Sequence, residues 1–362
     1  MSWGKGDGVH VHEQDPYNAE AVTQRLARSF LTPVEDFYSR NHGPIPEVDP
    51  ERWSLRVDGL VDRVASFSLA ELQSFEALTL PATLQCAGNR RAGLMEVREI
   101  PGEDPWGPGA ISNANWTGAR LVDVLHAAGL PSGLEDAHVA FAAPDVSQLA
   151  EPAQPYGSSI PLDKARRPEV LLAWLMNDAP LTRVHGAPVR VVVPGYIGAR
   201  SVKWVERVTV QHQPSDNYFQ ATAYRVLPPE ADPKTAGPGD GISLGPVALS
   251  SAIVSPGDGS SLASGPVEVA GYALAGGGCT VARVDVSTDG GRSWVQAALE
   301  QRDDPWTWTR WATTVDLAPG QHDVVVRAWD DTGAVQPEFP ATVWNPKGYA
   351  NTSWDRVTLR AR

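Results

Sequence analysis

Leu84-Gln85-Cys86-Ala87-Gly88-Asn89-Arg90-Arg91 is the most informative stretch of this chain. It closes a proline-broken apolar run containing Leu78, Leu80 and Leu84. Such a run reads as a strand, and Ala87-Gly88 reads as the small-residue turn that ends it. A thiol at that junction can project from the end of a sheet. Arg90 and Arg91 would favour its thiolate, the form that attacks electrophiles and binds metals. A buried cysteine packing as a small hydrophobe is the competing reading. Local chemistry does not separate the two.

At 362 residues the chain exceeds what one hydrophobic core usually organises, so two domains are expected. The combination of 33 Gly and 31 Pro argues for many short strands and turns over long helices. Thirteen Trp predict aromatic-rich cores or a lined pocket. A formal net charge of −13 disfavours nucleic acid and anionic membrane surfaces as partners, because both reward clustered basic charge. It still admits a small anionic substrate, since a few arginines in a cleft can invert the local potential. Cys86 and Cys279 make no disulfide framework, and Cys279, after Gly276-Gly277-Gly278, is read as structural or incidental. The start of the chain carries no apolar leader and no twin-arginine pair, and no long apolar run follows. These features predict neither a signal peptide nor a membrane span, and a cytoplasmic location.

Residues 1–30 are polar and are expected to form an arm. His10 and His12 alternate there like a metal clip, but two histidines in such a segment are expected to be solvated. From 31 to 228, short strand-like runs mix with helical signals and read as an α+β unit. Ser68-Leu69-Ala70-Glu71 is a capping box. Leu121, Val124, Leu125 and Ala128 recur at helical spacing before Gly129, a natural stop. Val189 to Val193 reads as a buried strand ended by Pro194-Gly195. A Pro- and Gly-rich linker covers 229–244. From 245 to 362, short alternating runs are separated by turn residues, with a hairpin signal at Asp289-Gly290-Gly291. That texture predicts an immunoglobulin-like β-sandwich.

Four separated segments carry a family likeness: Tyr38-Ser39-Arg40-Asn41-His42, the Cys86 octapeptide, Gly109 to Gly118 preceded by Trp106, and His185 to Trp204. Together the chain resembles the sulfite oxidase family, in its bacterial form without haem. The resemblance implies a mixed α/β molybdopterin-binding domain followed by an immunoglobulin-like dimerisation domain, and hence a homodimer. It implies a molybdenum–molybdopterin cofactor with Cys86 as the protein thiolate on the metal. Soft sulfur suits a metal that cycles between oxidation states. Tyr38, Ser39, Arg40, Asn41, His42, His185, Arg190, Ser201, Val202 and Lys203 stand at pterin-binding positions. An acidic pterin contact is implied between 143 and 151, and Asp145 is the residue assigned to it. For the substrate pocket, Arg40 and Arg91 match two of the family's arginines, Trp106 its aromatic wall and Tyr224 its tyrosine. Lys347 stands where vertebrate and plant relatives carry arginine; it keeps the charge and loses the bidentate fork.

The leading functional reading is oxidation of sulfite to sulfate, the anion docked by Arg40, Arg91 and Lys347. No His-Pro-Gly-Gly cytochrome b5 segment and no Cys-x-x-Cys-His motif occurs. The reading therefore expects no haem and an external electron acceptor such as a cytochrome c. A second enzymatic reading is a reductase on the same cofactor, acting on nitrate or an S- or N-oxide. Nitrate reductases are expected to lack the Tyr224 and Lys347 features. A third, of another class, is a non-catalytic binding protein using the β-sandwich as an adhesion module.

Overall fold

The computed structural model describes residues 3–150, 152–300 and 304–362. The apolar run before Cys86 is the strand Ala77–Gln85, paired antiparallel with Ile111–Arg120 in full register from Ala77↔Ala119 to Gln85↔Ile111. Ile111–Arg120 pairs in turn with Leu171–Met176, which carries Ala179–Pro180 and Arg190–Val192. A second sheet runs in the order Ala65–Ser68, Ser54–Gly59, Arg207–Gln211, His138–Ser147, Gln154–Pro161. Between the sheets lies one core: Leu55, Val57, Phe141, Val208 and Val210 meet Ala119, Leu172 and Val191. The opposite face of the first sheet buries a second cluster with Ala82, Leu84, Cys86, Trp106, Trp116 and Leu171. Period-two alternation thus sends Ala82, Leu84 and Cys86 to one side.

Helices are few and short. The helix-spaced run forms Leu121–Ala127 and buries Leu121, Val124 and Leu125, then stops where Gly129 adopts φ +82°. Ser68 caps Leu69–Gln73 through the reciprocal pair with Glu71. The α+β texture expected of residues 31–228 therefore resolves as a mainly β unit. The α-helices are four to seven residues long, too short for a third turn.

Residues 3–30, expected to form a polar arm, pack against the rest of the chain. Val9–Gln14 and Tyr17–Ala21 form a hairpin, and every residue of the second strand is buried. Ala19 and Ser39 exchange both backbone hydrogen bonds, at 2.9 and 2.8 Å. The Glu20 carboxylate accepts from the backbone N–H groups of Gly107 and Gly109 and contacts His12 Nε2 at 2.9 Å. A polar composition concealed this packing because its buried polar groups are hydrogen-bonded.

Beyond the linker, Ser250–Ser255, Gly265–Leu274, Thr309–Leu317 and Ala298–Leu299 form one sheet. Ser261–Leu262, Asp355–Ala361, Gly320–Asp330, Val281–Ser287 and Val295–Gln296 form another. Ile253, Val269 and Trp311 from the first share a core with Val284, Val326 and Leu359 from the second. Arg90 reaches across from the first unit. Its Nε lies 3.2 Å from Asp355 Oδ1, and its Nη1 donates to Ser353 O at 2.8 Å. Among the described residues no helix is long and apolar enough to cross a membrane.

Candidate active site

Cys86 follows the last residue of Ala77–Gln85, and its backbone N–H donates to Ala110 O, so the two paired strands hold it. Its sulfur accepts a hydrogen bond from Gly88 N at 3.4 Å. A Cβ at Gly88 would lie 2.6 Å from Arg91 Nη2, so a larger residue there would displace that guanidinium. Burial pushes the Cys86 thiol up, while Arg91 and Arg40 pull it down. Arg90 contributes differently from expectation. It adopts φ +64° and turns its guanidinium onto Asp355 and the carbonyls of the second unit. Only one of the two adjacent cations thus serves the thiol, because the tight turn sends consecutive side chains in opposite directions.

Cys86 opens into a cavity between the two sheets' ends and the loops around it. Every residue expected to hold the cofactor lines it: Tyr38, Ser39, Arg40, Asn41, His42, Asp145, His185, Arg190, Ser201, Val202 and Lys203. Tyr224 lines it too. The donors are anchored from behind. Arg190 donates to the carbonyls of His185 and Ser201, each at 3.1 Å, and packs over Trp116. Lys203 Nζ donates to Arg40 O at 3.1 Å and to Asn41 Oδ1. Burial lowers Lys203 and raises Asp145, whose charges attract each other. Ser39 Oγ and Asp145 Oδ1 are buried without a hydrogen-bond partner among the described residues. Burying a polar atom unpaired is costly, so such atoms point to a polar occupant. A cationic, donor-rich cavity with two orphaned oxygens and a thiol at one end fits a phosphate-bearing heterocycle that carries a soft metal.

His42 and Tyr224 meet in the same wall, His42 Nε2 lying 2.5 Å from Tyr224 Oη. Burial, with Arg40 and Lys203 nearby, keeps His42 far below its usual range and therefore neutral. Burial also raises Tyr224, which stays a phenol. Arg40 behaves oppositely: burial opposes its charge, but the acidic groups around it hold it above the ordinary guanidinium value. Tyr156, stacked on His42 at 4.6 Å, was not singled out in the sequence, where it is one residue of an ordinary strand. Lys5 is likewise new to the site. Its Nζ lies 2.7 Å from His185 Nε2 and donates to the carbonyls of Val34 and Phe37. Burial lowers Lys5 to about 7, against the pull of Asp36 and Glu35.

Arg91, Trp106 and Lys347 lie outside the cavity lining. Trp106 is fully buried in the cluster that contains Cys86, and its indole N–H has no partner among the described residues. Lys347 arrives on residues 344–351 of the second unit, which fold back over the segment after Cys86. Trp344 packs on Arg98 with its ring centroid 3.4 Å from the guanidinium carbon. Ala350 N donates to Ala87 O, and Tyr349 stacks on Tyr224 at 5.4 Å. Arg91 joins the two units: its Nε donates to Lys347 O and Gly348 O at 3.2 Å, and its Nη1 to Asp104 O. Glu103 then bridges the cations, 3.1 Å from Arg91 Nη2 and 3.8 Å from Lys347 Nζ. Neither Glu103 nor Tyr349 has a signal in the sequence that marks it out.

Comparison with known proteins matches this arrangement. Residues 42–219 match the oxidoreductase molybdopterin binding domain, and residues 245–362 match the Mo-co oxidoreductase dimerisation domain. The chain is 44% identical to sulfite oxidase of Gallus gallus over 96% of its own length and 77% of that protein. It is 39% identical to sulfite oxidase of Arabidopsis thaliana, over 97% of this chain and 94% of that protein. It spans 65% of the mitochondrial sulfite oxidase of Homo sapiens, at 42% identity. Among solved structures, the sulfane dehydrogenase SoxCD from Paracoccus pantotrophus superimposes with a TM-score of 0.80. That match has 26% identity and covers 97% of this chain and 88% of that one. With these similarities running through both units, the chain belongs to the sulfite oxidase family of molybdopterin oxidoreductases.

Proposed function

We propose that this protein oxidises sulfite to sulfate with a molybdenum–molybdopterin cofactor and passes the electrons to an external acceptor such as a cytochrome c. The observation that carries the reading is the meeting of the Cys86 thiol, Tyr224 and Arg40 in one cavity, with Arg91 and Lys347 bridged beside it. When bound, the cofactor supplies a two-electron couple and an exchangeable oxygen. Cys86 holds the metal through sulfur. Arg190, Lys203, His185, Ser201 and Asn41 bind the phosphate and pterin edges, with the backbone at Val202. Tyr38 and Ser39 complete the cofactor wall beside Arg40, with Ser39 held by its backbone pair to Ala19. Asp145, whose Oδ1 has no partner among the described residues, would be the acidic contact to the pterin.

Arg40, Arg91 and Lys347 offset the desolvation of an oxyanion by charge-assisted hydrogen bonds. Trp106 excludes water behind Cys86. Tyr224 orients substrate or a water through its hydroxyl, and neutral His42 holds that hydroxyl from the other side. The segment 31–228 acts as the catalytic domain, 229–244 as the linker and 245–362 as an immunoglobulin-like domain through which two copies pair. Steady-state oxidation of sulfite with ferricyanide or a cytochrome c tests the reading, run beside dye-driven reduction of nitrate. Sulfite turnover by a molybdenum-loaded sample is the expected result. Nitrate reduction without sulfite oxidation would overturn it.

A further inference from the structure

Glu103 is the carboxylate on which the outer cations converge. Three hydrogen bonds that orient Arg91 go to the carbonyl oxygens of Lys347, Gly348 and Asp104, and they use Nε and Nη1. Nη2 is left for an anion, and Glu103 Oε2 sits on it at 3.1 Å. The other oxygen of the same carboxylate faces Lys347 Nζ at 3.8 Å. A two-oxygen anion spanning these two cations occupies the place that a docked oxyanion would take. Glu103 is also close enough for its charge to act on Arg40, Cys86 and Tyr224. The side chains of Glu103 and Lys347 are 17% and 19% exposed, so a swing of the carboxylate into solvent needs no repacking of the core.

We infer that Glu103 is a resident counter-anion of the docking cluster, which substrate displaces from Arg91 and Lys347 and which returns as product leaves. The inference rests on the proposed oxyanion chemistry of this site and adds the residue that sets its affinity. With Glu103 in place the empty cluster avoids two adjacent unpaired cations, whose mutual repulsion would otherwise be relieved only by ligand. The carboxylate therefore competes with any incoming oxyanion for the same donors. It weakens substrate and product alike, so product is not retained.

Glu103→Gln keeps the size of the side chain and removes its charge, while the three carbonyl contacts still hold Arg91. In the holoenzyme this variant should lower KM for sulfite and the Kd of sulfate, read by calorimetric titration without turnover. The change should be roughly tenfold each, the lower end of what one hydrogen bond to a charged group contributes. The value of kcat should not rise. Glu103→Asp, which keeps the charge, should stay near wild type in both constants. A Glu103→Gln variant with unchanged or weaker sulfate binding would overturn the inference and make Glu103 a positioning residue for Arg91. Sulfate titration separates the two claims. If wild type fails to oxidise sulfite, the function falls while Glu103 is still read directly. If wild type oxidises sulfite and Glu103→Gln leaves sulfate affinity untouched, only the inference falls.

Discussion

At the scale of single residues, Cys86 concentrates the chemistry, and its role follows from three neighbours. Gly88 gives it a backbone donor, Arg91 gives it a cation, and Ala110 fixes its main chain. Cys86→Ser exchanges a soft thiolate for a hard hydroxyl while leaving the other cavity walls intact. Turnover should fall to background with the melting temperature within a few degrees of wild type and part of the pterin retained, measured by activity, thermal unfolding and pterin fluorescence. Near-normal turnover would remove the ligand assignment. Lys347 is the second residue with a sharp expectation. Its charge acts mainly in ground-state docking, so Lys347→Ala should raise KM for sulfite by roughly tenfold, with a smaller change in kcat. Lys347→Arg should bring KM back to or below wild type through a bidentate fork. Steady-state kinetics on both variants decides this, and two unchanged KM values would show that Arg40 and Arg91 dock the anion alone. The sequence brought out Cys86 through its position at the end of an apolar run. It misassigned Arg90, because a left-handed backbone angle at one residue cannot be read from an Arg-Arg pair.

Elements are held by polar staples that hydrophobic periodicity does not reveal. Ser54–Gly59 and Arg207–Gln211 form the parallel pair of the second sheet, and Asp58 lies on it. Burial works against the Asp58 charge. Hydrogen bonds from Arg56, Arg207 and Thr209 outweigh that and hold its carboxyl below the usual range. A depressed carboxylate contributes stability above its unfolded value and loses it as the pH falls through the folded one. Asp58→Asn should therefore destabilise by about 1 kcal/mol at neutral pH, the lower end for charged hydrogen bonds because both guanidiniums are half exposed. The difference from wild type should shrink below about pH 4, where the unfolded carboxylate also protonates. Denaturant unfolding at pH 7 and pH 3 checks this, and an equal difference at both would assign the effect to packing. The N-terminal hairpin is another staple. Glu20 pins the backbone at Gly107 and Gly109 on either side of the turn after Trp106, so an apparently polar segment shapes the wall behind Cys86.

The whole molecule is two β units joined at the site itself. Arg90, Arg91 and Asn351 carry hydrogen bonds between the segment after Cys86 and residues 344–355, so the second unit cannot be removed without uncovering Arg91. With 245–362 matching a dimerisation domain, two copies should pair through a self-complementary contact of these units. Light scattering at micromolar concentration should return twice the 38.8 kDa chain mass, and a monomer would count against that pairing.

The sequence alone determined the chemical kit and its division. One thiol after an apolar run, arginines and histidines in four motif segments, and a change of texture after the linker are all local patterns, and local patterns survive in one dimension. Short strands were legible because alternation and turn residues act over a few positions. Tertiary structure decided which cations share a carboxylate, which arginine serves the thiol, and whether Lys347 faces solvent. Lys347 and Arg91 are 256 residues apart, and Tyr224 and His42 are 182 apart. No spacing rule links such pairs. Their meeting follows from the fold of two separate cores, and the energy of each contact depends on burial that only the folded chain supplies.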